Sequence, residues 1–373
     1  MKKIGLITFH ASDNCGSMLQ TYALQKVLLN RGLDVEIINF SCENQREMYS
    51  IFVKIRVLRD VVRNIIRLIL YPILKREQNG FRCFWKYYRL SKNAYRFNRD
   101  LFSIGKMYDC IVCGSDQVWN YKAYDFDDAY LINFAENVRK VAYAVSMGQA
   151  RLDDDLVQKN KYEKMISDFY AVSIREFKSQ SMIQSITNLP VYICLDPTFL
   201  INEPDYKSLM GEKRLIDGDY IFCYAFTYHK QFVENVVALS KRLNMPVYMM
   251  DRKQNIIKCA WKKGVKLTPA AGPEAFLNVF YYASMIFTTS FHGTAFSVIF
   301  KKKFWYLNET GGEGDGRATS LLRQMGLMHR YVTPNELIEI EDLREKIDYD
   351  EVYVKLNELR MHSMRFIDEF IVK

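Results

Sequence analysis

The sequence lacks the clustered cysteines that staple small secreted domains. Its eight cysteines are scattered along the chain, at Cys15, Cys42, Cys83, Cys110, Cys113, Cys194, Cys223 and Cys259. Cys110 and Cys113 form a C-x-x-C, but strand-like alternation puts them on opposite faces, and no second pair or histidine pair is near them. We therefore expect reduced thiols and neither a disulfide framework nor a metal site.

Signatures of nucleic-acid binding are missing as well. The sequence has no zinc-finger spacing, basic leucine-zipper pattern or aromatic-glycine RNA-binding motif, so nucleic acid is not an expected partner despite the net charge of +9. The charge suits a phosphorylated small molecule or an anionic lipid surface. The apolar run after Lys3 is interrupted at His10 and is too short for a secretion signal, which predicts a buried first strand and a cytoplasmic protein.

Strand-like apolar runs alternate with helical patterns, which predicts the α/β class with parallel sheets. The length of 373 residues exceeds the size of most single cores. We therefore predict two Rossmann-like domains, residues 1–205 and 206–340, and a C-terminal helix within 341–373 that packs back on the body. The predicted strands are Ile4–Phe9, Val35–Phe40, Cys110–Cys113, Val141–Val145, Ala171–Ile174, Val191–Leu195, Tyr220–Ala225, Val247–Met250, Met285–Phe287 and Phe304–Leu307.

A basic amphipathic insertion at about residues 50–100 departs from the sheet pattern. Its arginines are spaced as on one helix face, with apolar residues on the other; they are Arg56, Arg59, Arg63 and Arg67. One interpretation packs the apolar face on the domain core and leaves the arginines in solvent. The other is peripheral docking on an anionic membrane at the inner face, where a lipid-linked substrate would be found.

Polar loops that follow strands are the places to seek chemistry, because ligands of α/β sheets bind beyond the carboxyl ends of strands. Asn14 or Ser17 can cap a helix whose first N–H groups, including that of Gly16, suit a phosphate or carboxylate. The loop Gly114–Asn120 places Asp116 and Asn120 beside Trp119, which suits a sugar ring, although Trp119 is equally compatible with the core.

Two further loops offer charged or titratable groups. Arg175 can clamp a carboxylate or phosphate, held by Glu176, or can form an ordinary surface ion pair with it. His292, between Ser290 and Gly293 at a helix start, can donate a proton to a ligand or can merely cap the helix or hydrogen-bond in the core. With five histidines in the chain, His292 is an easily singled-out candidate.

Five motifs together resemble the polysaccharide pyruvyl transferase family. They are N-x-G-x-x-L-Q-x-x-A-L-Q (Asn14 to Gln25), G-S-D-Q-x-W-N (Gly114 to Asn120), S-x-R-E (Ser173 to Glu176), L-D-P-T (Leu195 to Thr198) and S-F-H-G-x-x-F-S (Ser290 to Ser297). The resemblance implies a fold similar to the GT-B glycosyltransferases, with two Rossmann-like domains facing a cleft. It also implies a role in making a capsule or exopolysaccharide.

The implied reaction moves the enolpyruvyl unit of phosphoenolpyruvate onto two hydroxyls of one sugar, giving a pyruvate ketal and phosphate. The resemblance makes His292 the general acid and Arg175 a ligand of the donor's carboxylate or phosphate. It also places Asp116 and Asn120 along the acceptor or donor side. No metal or redox cofactor is required. The expected partners are phosphoenolpyruvate and a saccharide acceptor, with a lipid-linked acceptor as a further hypothesis.

Ser290 departs from the family pattern, in which arginine often stands two residues before the histidine. Arg317, Lys302 or Lys303 could supply the missing cation. A GT-B glycosyltransferase that uses a nucleotide sugar is the alternative function, with the glycine-rich loop Gly311–Gly316 holding a ribose or diphosphate. A non-catalytic scaffold in a carbohydrate-assembly complex is another. The acidic runs at 127–128 and 153–155 are expected to be solvated and not to bind a metal.

Overall fold

The computed structural model describes residues 1–225, 230–250, 263–308 and 316–373. The chain divides into two compact units. The first consists of residues 1–63, 86–201 and 357–373, and the second consists of residues 64–85 and 202–356.

The first unit is built on a six-stranded parallel sheet with the order β2-β1-β3-β4-β5-β6. Its four central strands are short, mainly apolar runs buried on both faces, as parallel sheets require, and its two edge strands are partly exposed. Because all six run the same way, their carboxyl ends meet at one edge. The strands are β1 (Lys3–Ile7), β2 (Asp34–Ile37), β3 (Cys110–Cys113), β4 (Arg139–Val145), β5 (Ala171–Ile174) and β6 (Val191–Ile193).

The second unit also contains a six-stranded parallel sheet, with the order β12-β11-β10-β7-β8-β9. Its central strand β10 lies between β7 and β11 and is fully buried. The strands are β7 (Ile221–Tyr224), β8 (Val247–Met249), β9 (Val265–Leu267), β10 (Met285–Thr288), β11 (Phe304–Leu307) and β12 (Tyr331–Val332).

Helices connect the strands of both sheets. The described α-helices are Cys15–Leu29, Glu43–Met48, Leu58–Ile69, Tyr71–Cys83, Leu156–Ile166, Phe177–Gln184, Glu203–Lys207, Lys230–Leu243, Pro273–Tyr282, Phe291–Ile299, Gly316–Met325, Pro334–Glu339 and Tyr349–Ile367. In the first unit, Ser363 accepts a hydrogen bond from the backbone N–H of Leu195 at 2.9 Å. In the second, the hydroxyl of Tyr349 donates to the carbonyl of Ser297 at 3.1 Å.

All ten strands expected from the sequence are present, and the parallel α/β class is confirmed. Two short strands at sheet edges, β9 and β12, were not expected. Among the residues that the structure describes, no helix has both the length and the apolar character needed to cross a bilayer.

One expectation about the basic insertion is wrong. The helix Leu58–Ile69 forms as its pattern predicts, but its apolar side does not pack on a domain core. Leu58, Val62, Ile65 and Ile69 are all exposed, and Asp60 is the residue of this helix that is buried. The apolar side chains therefore face solvent.

Candidate active site

Four of the five motifs meet in one buried polar cluster at the carboxyl edge of the first sheet. Asn14 caps the helix Cys15–Leu29, because its side chain accepts from the N–H groups of Gly16 at 2.9 Å and Ser17 at 3.3 Å. The Ser17 hydroxyl in turn donates to the carboxylate of Asp116. The first helix is thereby tied to the loop that follows β3, and the predicted cap at Asn14 is confirmed.

Asp116 has an unusual backbone conformation. Its φ of 86° lies in a region that residues other than glycine rarely adopt. The conformation is supported by the side chain, which accepts from the N–H of Gln117 at 2.8 Å, and by the backbone, whose carbonyl accepts from the N–H of Ser146 at 2.9 Å. Such strain is most often retained where a side chain must be aimed at a functional site.

Arg175 is buried, and its ion pair is with Asp196 and not with the predicted partner Glu176. Its Nη1 lies 2.6 Å from Oδ2 of Asp196, and its Nη2 lies 3.9 Å from Oδ1 of Asp116. The carboxylate of Glu176 instead accepts from the hydroxyls of Ser146 at 2.9 Å and Ser179 at 2.6 Å. The interpretation of an ordinary surface ion pair is therefore wrong, because Arg175 and Asp196 are both almost fully buried.

Asp196, in the L-D-P-T motif, gathers the remaining loops of the cluster. Its carboxylate accepts from the hydroxyl of Ser115 at 2.9 Å and from the N–H and hydroxyl of Thr198 at 3.0 and 2.8 Å. Together with Arg175, these donors satisfy a fully buried carboxylate. Asp196 was not predicted as the partner of Arg175. The available signal was its position directly after the predicted strand Val191–Leu195.

The interpretation of Trp119 as a surface for a sugar ring is wrong. Its ring is fully buried, its indole Nε1 donates to the carbonyl of Tyr130 at 3.0 Å, and it packs edge-on against Phe169. Asn120 lies close by, with its amide donating to the Gln117 side chain at 3.0 Å. Trp119 therefore supports the loop from the core side.

Gly114, at the start of the same loop, owes its identity to packing. A Cβ there would lie 3.1 Å from Thr8 and 3.3 Å from Leu24, which belongs to the first helix. Glycine thus lets that helix lie close to the end of β3.

A second carboxylate near Asp116 was not predicted from the sequence. Asp125 is buried, and burial is the main cause that raises its pKa to about 6, with the negative charge of Asp116 adding to the effect. Burial followed by the charges of Asp125, Asp116 and Asp13 also raises the pKa of Tyr49 well above its ordinary value. A carboxyl with a pKa near neutrality can accept or release a proton at working pH. Asp125 is buried, whereas the neighbouring Asp127 and Asp128 are half-buried, and the sequence gives no sign of this difference.

The second unit carries the histidine loop at the carboxyl end of β10. Ser290 is the N-cap of the helix Phe291–Ile299, with its hydroxyl 3.5 Å from the N–H of Gly293. His292 therefore stands in the first helical turn, 4% exposed, with its ring edge-on to Phe291. The hydroxyl of Thr288 donates to the carbonyl of Tyr224 at 2.6 Å and accepts from the N–H of Ser290 at 3.0 Å, which fixes where the loop leaves the strand.

Replacing Gly293 by alanine is expected to lower the free energy of unfolding by about 1–3 kcal/mol, because overpacking forces neighbours to shift. A Cβ at Gly293 would lie 2.0 Å from Oγ1 of Thr288, a side chain held by its own hydrogen bonds. Urea denaturation followed by circular dichroism measures the loss. Gly211→Ala is the matched control, because nothing lies within 4 Å of the added methyl. Equal midpoints for both variants would contradict the tight fit.

Two of the three cations proposed to replace the family arginine are in the wrong place. Nζ of Lys302 donates to the carbonyls of Tyr281 and Ala283, and the carbonyl of Lys303 accepts from the N–H of Ile286 at 2.9 Å. These contacts lie at the amino end of β10 and β11. Four residues of strand, about 13 Å, separate that edge from the histidine loop.

Burial is the largest cause that lowers the pKa of Lys302, to about 8. Arg317 is better placed. It lies in the first turn of the helix Gly316–Met325, which follows β11, the strand next to β10. The proposed ribose or diphosphate loop is outside the described residues except for Gly316.

Each unit has the architecture of one half of a two-domain α/β fold, and comparison with solved structures places that fold with the GT-B glycosyltransferases and UDP-GlcNAc 2-epimerases. A putative UDP-N-acetylglucosamine 2-epimerase from Listeria monocytogenes aligns with a TM-score of 0.59 and 10% identity, covering 98% of this chain and 95% of that one. UDP-GlcNAc 2-epimerase from Methanocaldococcus jannaschii, in complex with UDP-GlcNAc and UDP, aligns with a TM-score of 0.51 and 12% identity, covering 97% and 99%. UGT89C1 of Arabidopsis thaliana aligns with a TM-score of 0.50 and 11% identity, covering 99% and 95%. At these identities the likeness concerns the fold alone.

The family is defined by the sequence. The model of the polysaccharide pyruvyl transferase family matches residues 14–310, which begins at the Asn14 cap and passes through the histidine loop. The chain belongs to the polysaccharide pyruvyl transferase family, and it is accordingly a transferase of polysaccharide biosynthesis that acts on a saccharide acceptor. No curated protein matches the chain significantly.

Proposed function

We propose that the protein transfers the enolpyruvyl unit of phosphoenolpyruvate to two hydroxyls of one sugar, forming a pyruvate ketal and releasing phosphate. The observation that carries the proposal is the position of His292 in the first turn of a helix at the carboxyl end of β10, inside the segment matched by the family. A titratable ring at a helix N-terminus stands beside backbone N–H groups that attract an anion. A proton donor and an anion site are thus adjacent.

His292 is proposed to give a proton to the methylene carbon of the donor. Protonation turns the methylene into a methyl group and leaves C2 electrophilic, with positive charge shared by its oxygen. One sugar hydroxyl adds to C2, phosphate leaves with its bonding electrons, and the second hydroxyl closes the ketal, so that both hydroxyl protons are released. The carbon skeleton gains a proton at one carbon and bonds to oxygen at the other, so the scheme needs no redox cofactor and no metal.

The donor's two anionic groups need positive partners in this scheme. We assign one to the N-terminus of the helix Phe291–Ile299 and the other to Arg317, in the first turn of the helix after the neighbouring strand. Ser290 contributes by capping the first of these helices, so the histidine loop keeps its form although serine stands in the position of the family arginine. Arg175 remains a predicted donor ligand, but its buried pair with Asp196 favours a structural role.

The acceptor hydroxyls must lose protons in this scheme, and a carboxylate is a suitable base for that task. Asp125, with its pKa of about 6, can take up a proton near neutral pH. Asp116 and Asn120 lie in the loop after β3 and are proposed to line the sugar site together with the capped helix at Asn14 and Gly16. The acceptor is proposed to be carried on a lipid, for which the basic segment around Arg56–Arg67 is suited.

Thermal denaturation in the presence of phosphoenolpyruvate tests the donor assignment. A ligand that binds only the native state adds about 2.7 kcal/mol of stability at one hundred times its dissociation constant, so phosphoenolpyruvate is expected to raise the melting temperature. UDP and UDP-GlcNAc serve as the comparison, because related folds have been solved with them. A response to the nucleotides alone would contradict the proposal and favour a nucleotide-sugar glycosyltransferase.

A further inference from the structure

The helix Leu58–Ile69 presents an aliphatic face to solvent. Leu58 is 81% exposed and Ile69 is 74% exposed, and Val62, Ile65 and Ile66 between them are exposed as well. At 3.6 residues per turn, these five side chains fall within an arc of about 100°. Most amphipathic helices bury such a face against their own protein. Here a continuous apolar stripe is left open along three turns.

The opposite side of the same helix is occupied by local polar contacts. The carboxylate of Asp60 accepts from the N–H groups of Arg56 at 3.1 Å and Val57 at 3.2 Å and pairs with Arg63 at 3.3 Å. Arg56 also pairs with Glu47 at 3.0 Å. These contacts fasten the helix start to the preceding turn through its polar side, so that the apolar side is the one available to another surface.

The segment of the chain that carries this face is strongly positive. Residues 51–99 contain thirteen lysines and arginines against two acidic residues, Asp60 and Glu77, a net charge of +11. The whole chain carries +9, so the rest of the protein is slightly negative. Trp85, in the 3-10 helix Phe84–Tyr87 of the same segment, lies under the guanidinium of Arg82 at 4.6 Å. An aliphatic stripe on a strongly basic segment matches the boundary between acyl chains and anionic headgroups.

A bilayer fits these observations better than a protein partner. A second copy of the chain would bring another segment of +11 against the first, and the like charges would oppose the contact. Protein interfaces are enriched in aromatic residues and methionine at their centres, whereas the stripe consists of leucine, valine and isoleucine. Lipid tails require no hydrogen-bonding groups on the face, and this face offers none.

We infer that the helix Leu58–Ile69 docks the protein on an anionic membrane surface, lying parallel to it with its aliphatic stripe between the headgroups. At about 18 Å in length, the helix is too short to span the hydrocarbon core. The arginines beside the stripe reach the lipid phosphates with their long side chains. Docking holds the enzyme where lipid-carried saccharides are found, and it does not depend on which donor the enzyme uses.

Vesicle flotation of the full-length protein tests the docking. The protein is mixed with vesicles of phosphatidylcholine alone, or with vesicles in which part of the lipid is phosphatidylglycerol. We expect binding to the anionic vesicles that weakens as salt is raised, and little binding to the neutral ones. Ile65→Glu/Ile69→Glu should weaken binding by about 100-fold or more, because it removes apolar contact and adds repelling charge. Arg59→Glu/Arg67→Glu should weaken it by about tenfold or more.

The matched control is Leu156→Glu/Val157→Glu, which makes the same change in charge at two exposed apolar residues elsewhere. We expect this control to keep its binding within a few-fold. Absence of flotation, or an equal loss in the control, would overturn the inference. Light scattering tests whether the stripe instead mediates dimerisation. A dimer that becomes a monomer in Ile65→Glu/Ile69→Glu would assign the stripe to self-association. Thermal response to phosphoenolpyruvate without vesicles reports the donor separately, so failure of one proposal leaves the other standing.

Discussion

His292→Asn is expected to lower kcat by about 10²–10⁴-fold, the contribution typical of a positioned general acid. Asparagine preserves a polar side chain of similar reach in the first turn of the helix Phe291–Ile299, but it cannot give a proton to carbon. Because the proposed anion site at this helix N-terminus is built from backbone N–H groups, phosphoenolpyruvate should still raise the melting temperature of the variant. Phosphate release from phosphoenolpyruvate, in the presence of a panel of saccharides, measures the rate.

The control for this prediction is His362→Asn, a change at an exposed histidine on the C-terminal helix. It should leave the rate unchanged. If His292→Asn retained the full rate with unchanged binding of the donor, His292 would not be the acid. A non-catalytic scaffold would likewise tolerate the substitution.

The architecture was largely predictable because parallel strands buried on both faces produce continuous apolar runs. Each central strand, such as β3 or β10, is a run of this kind, and the sequence marks it clearly. The strands that escaped prediction, β9 and β12, have three and two residues and lie at sheet edges. Such short segments leave too little periodicity to identify, and their pairing depends on neighbours far away along the chain.

The loops of the site were predictable, but the partners of their side chains were not. Position after a strand identified Asp116, Arg175 and His292, because strand ends meet at one edge of a parallel sheet. Adjacency in sequence suggested Glu176 as the partner of Arg175, whereas the sheet brings Asp196 to it from the end of the neighbouring strand β6. Which side chains meet across neighbouring strands is set by the topology of the sheet, and the local sequence does not indicate it.

Burial was the other quantity that the sequence left open. The same apolar pattern describes a helix that covers a core and one that faces solvent, so Leu58–Ile69 could be recognised as amphipathic but not oriented. Trp119 and Asp125 illustrate the point for single residues. The ring that suited a sugar lies in the core, and the carboxylate of Asp125, which was not predicted to have any role, is buried with a raised pKa.

Arg175→Met is expected to lower the free energy of unfolding by about 3–5 kcal/mol, because it leaves a buried carboxylate without its cation. Oδ2 of Asp196 would lose the guanidinium at 2.6 Å and would keep the neutral donor Ser115, while Oδ1 would keep its hydrogen bonds from Thr198. Asp196→Asn should cost a similar amount for the converse reason, since it leaves the cation buried. Thermal and urea denaturation measure both losses.

The double variant Arg175→Met/Asp196→Asn tests whether the ion pair has a structural role or takes part in binding the donor. With both charges gone, no uncompensated charge remains, and asparagine can still hydrogen-bond to Ser115 and Thr198. Its loss of stability should therefore be clearly smaller than the sum of the two single losses. Since the guanidinium forms a buried ion pair with Asp196 and lies near Asp116, we expect the double variant to keep its thermal response to phosphoenolpyruvate. If the double variant folded but its melting temperature no longer rose with phosphoenolpyruvate, Arg175 would be a ligand of the donor, as the family resemblance implies. Asp196 would then be the residue that positions Arg175.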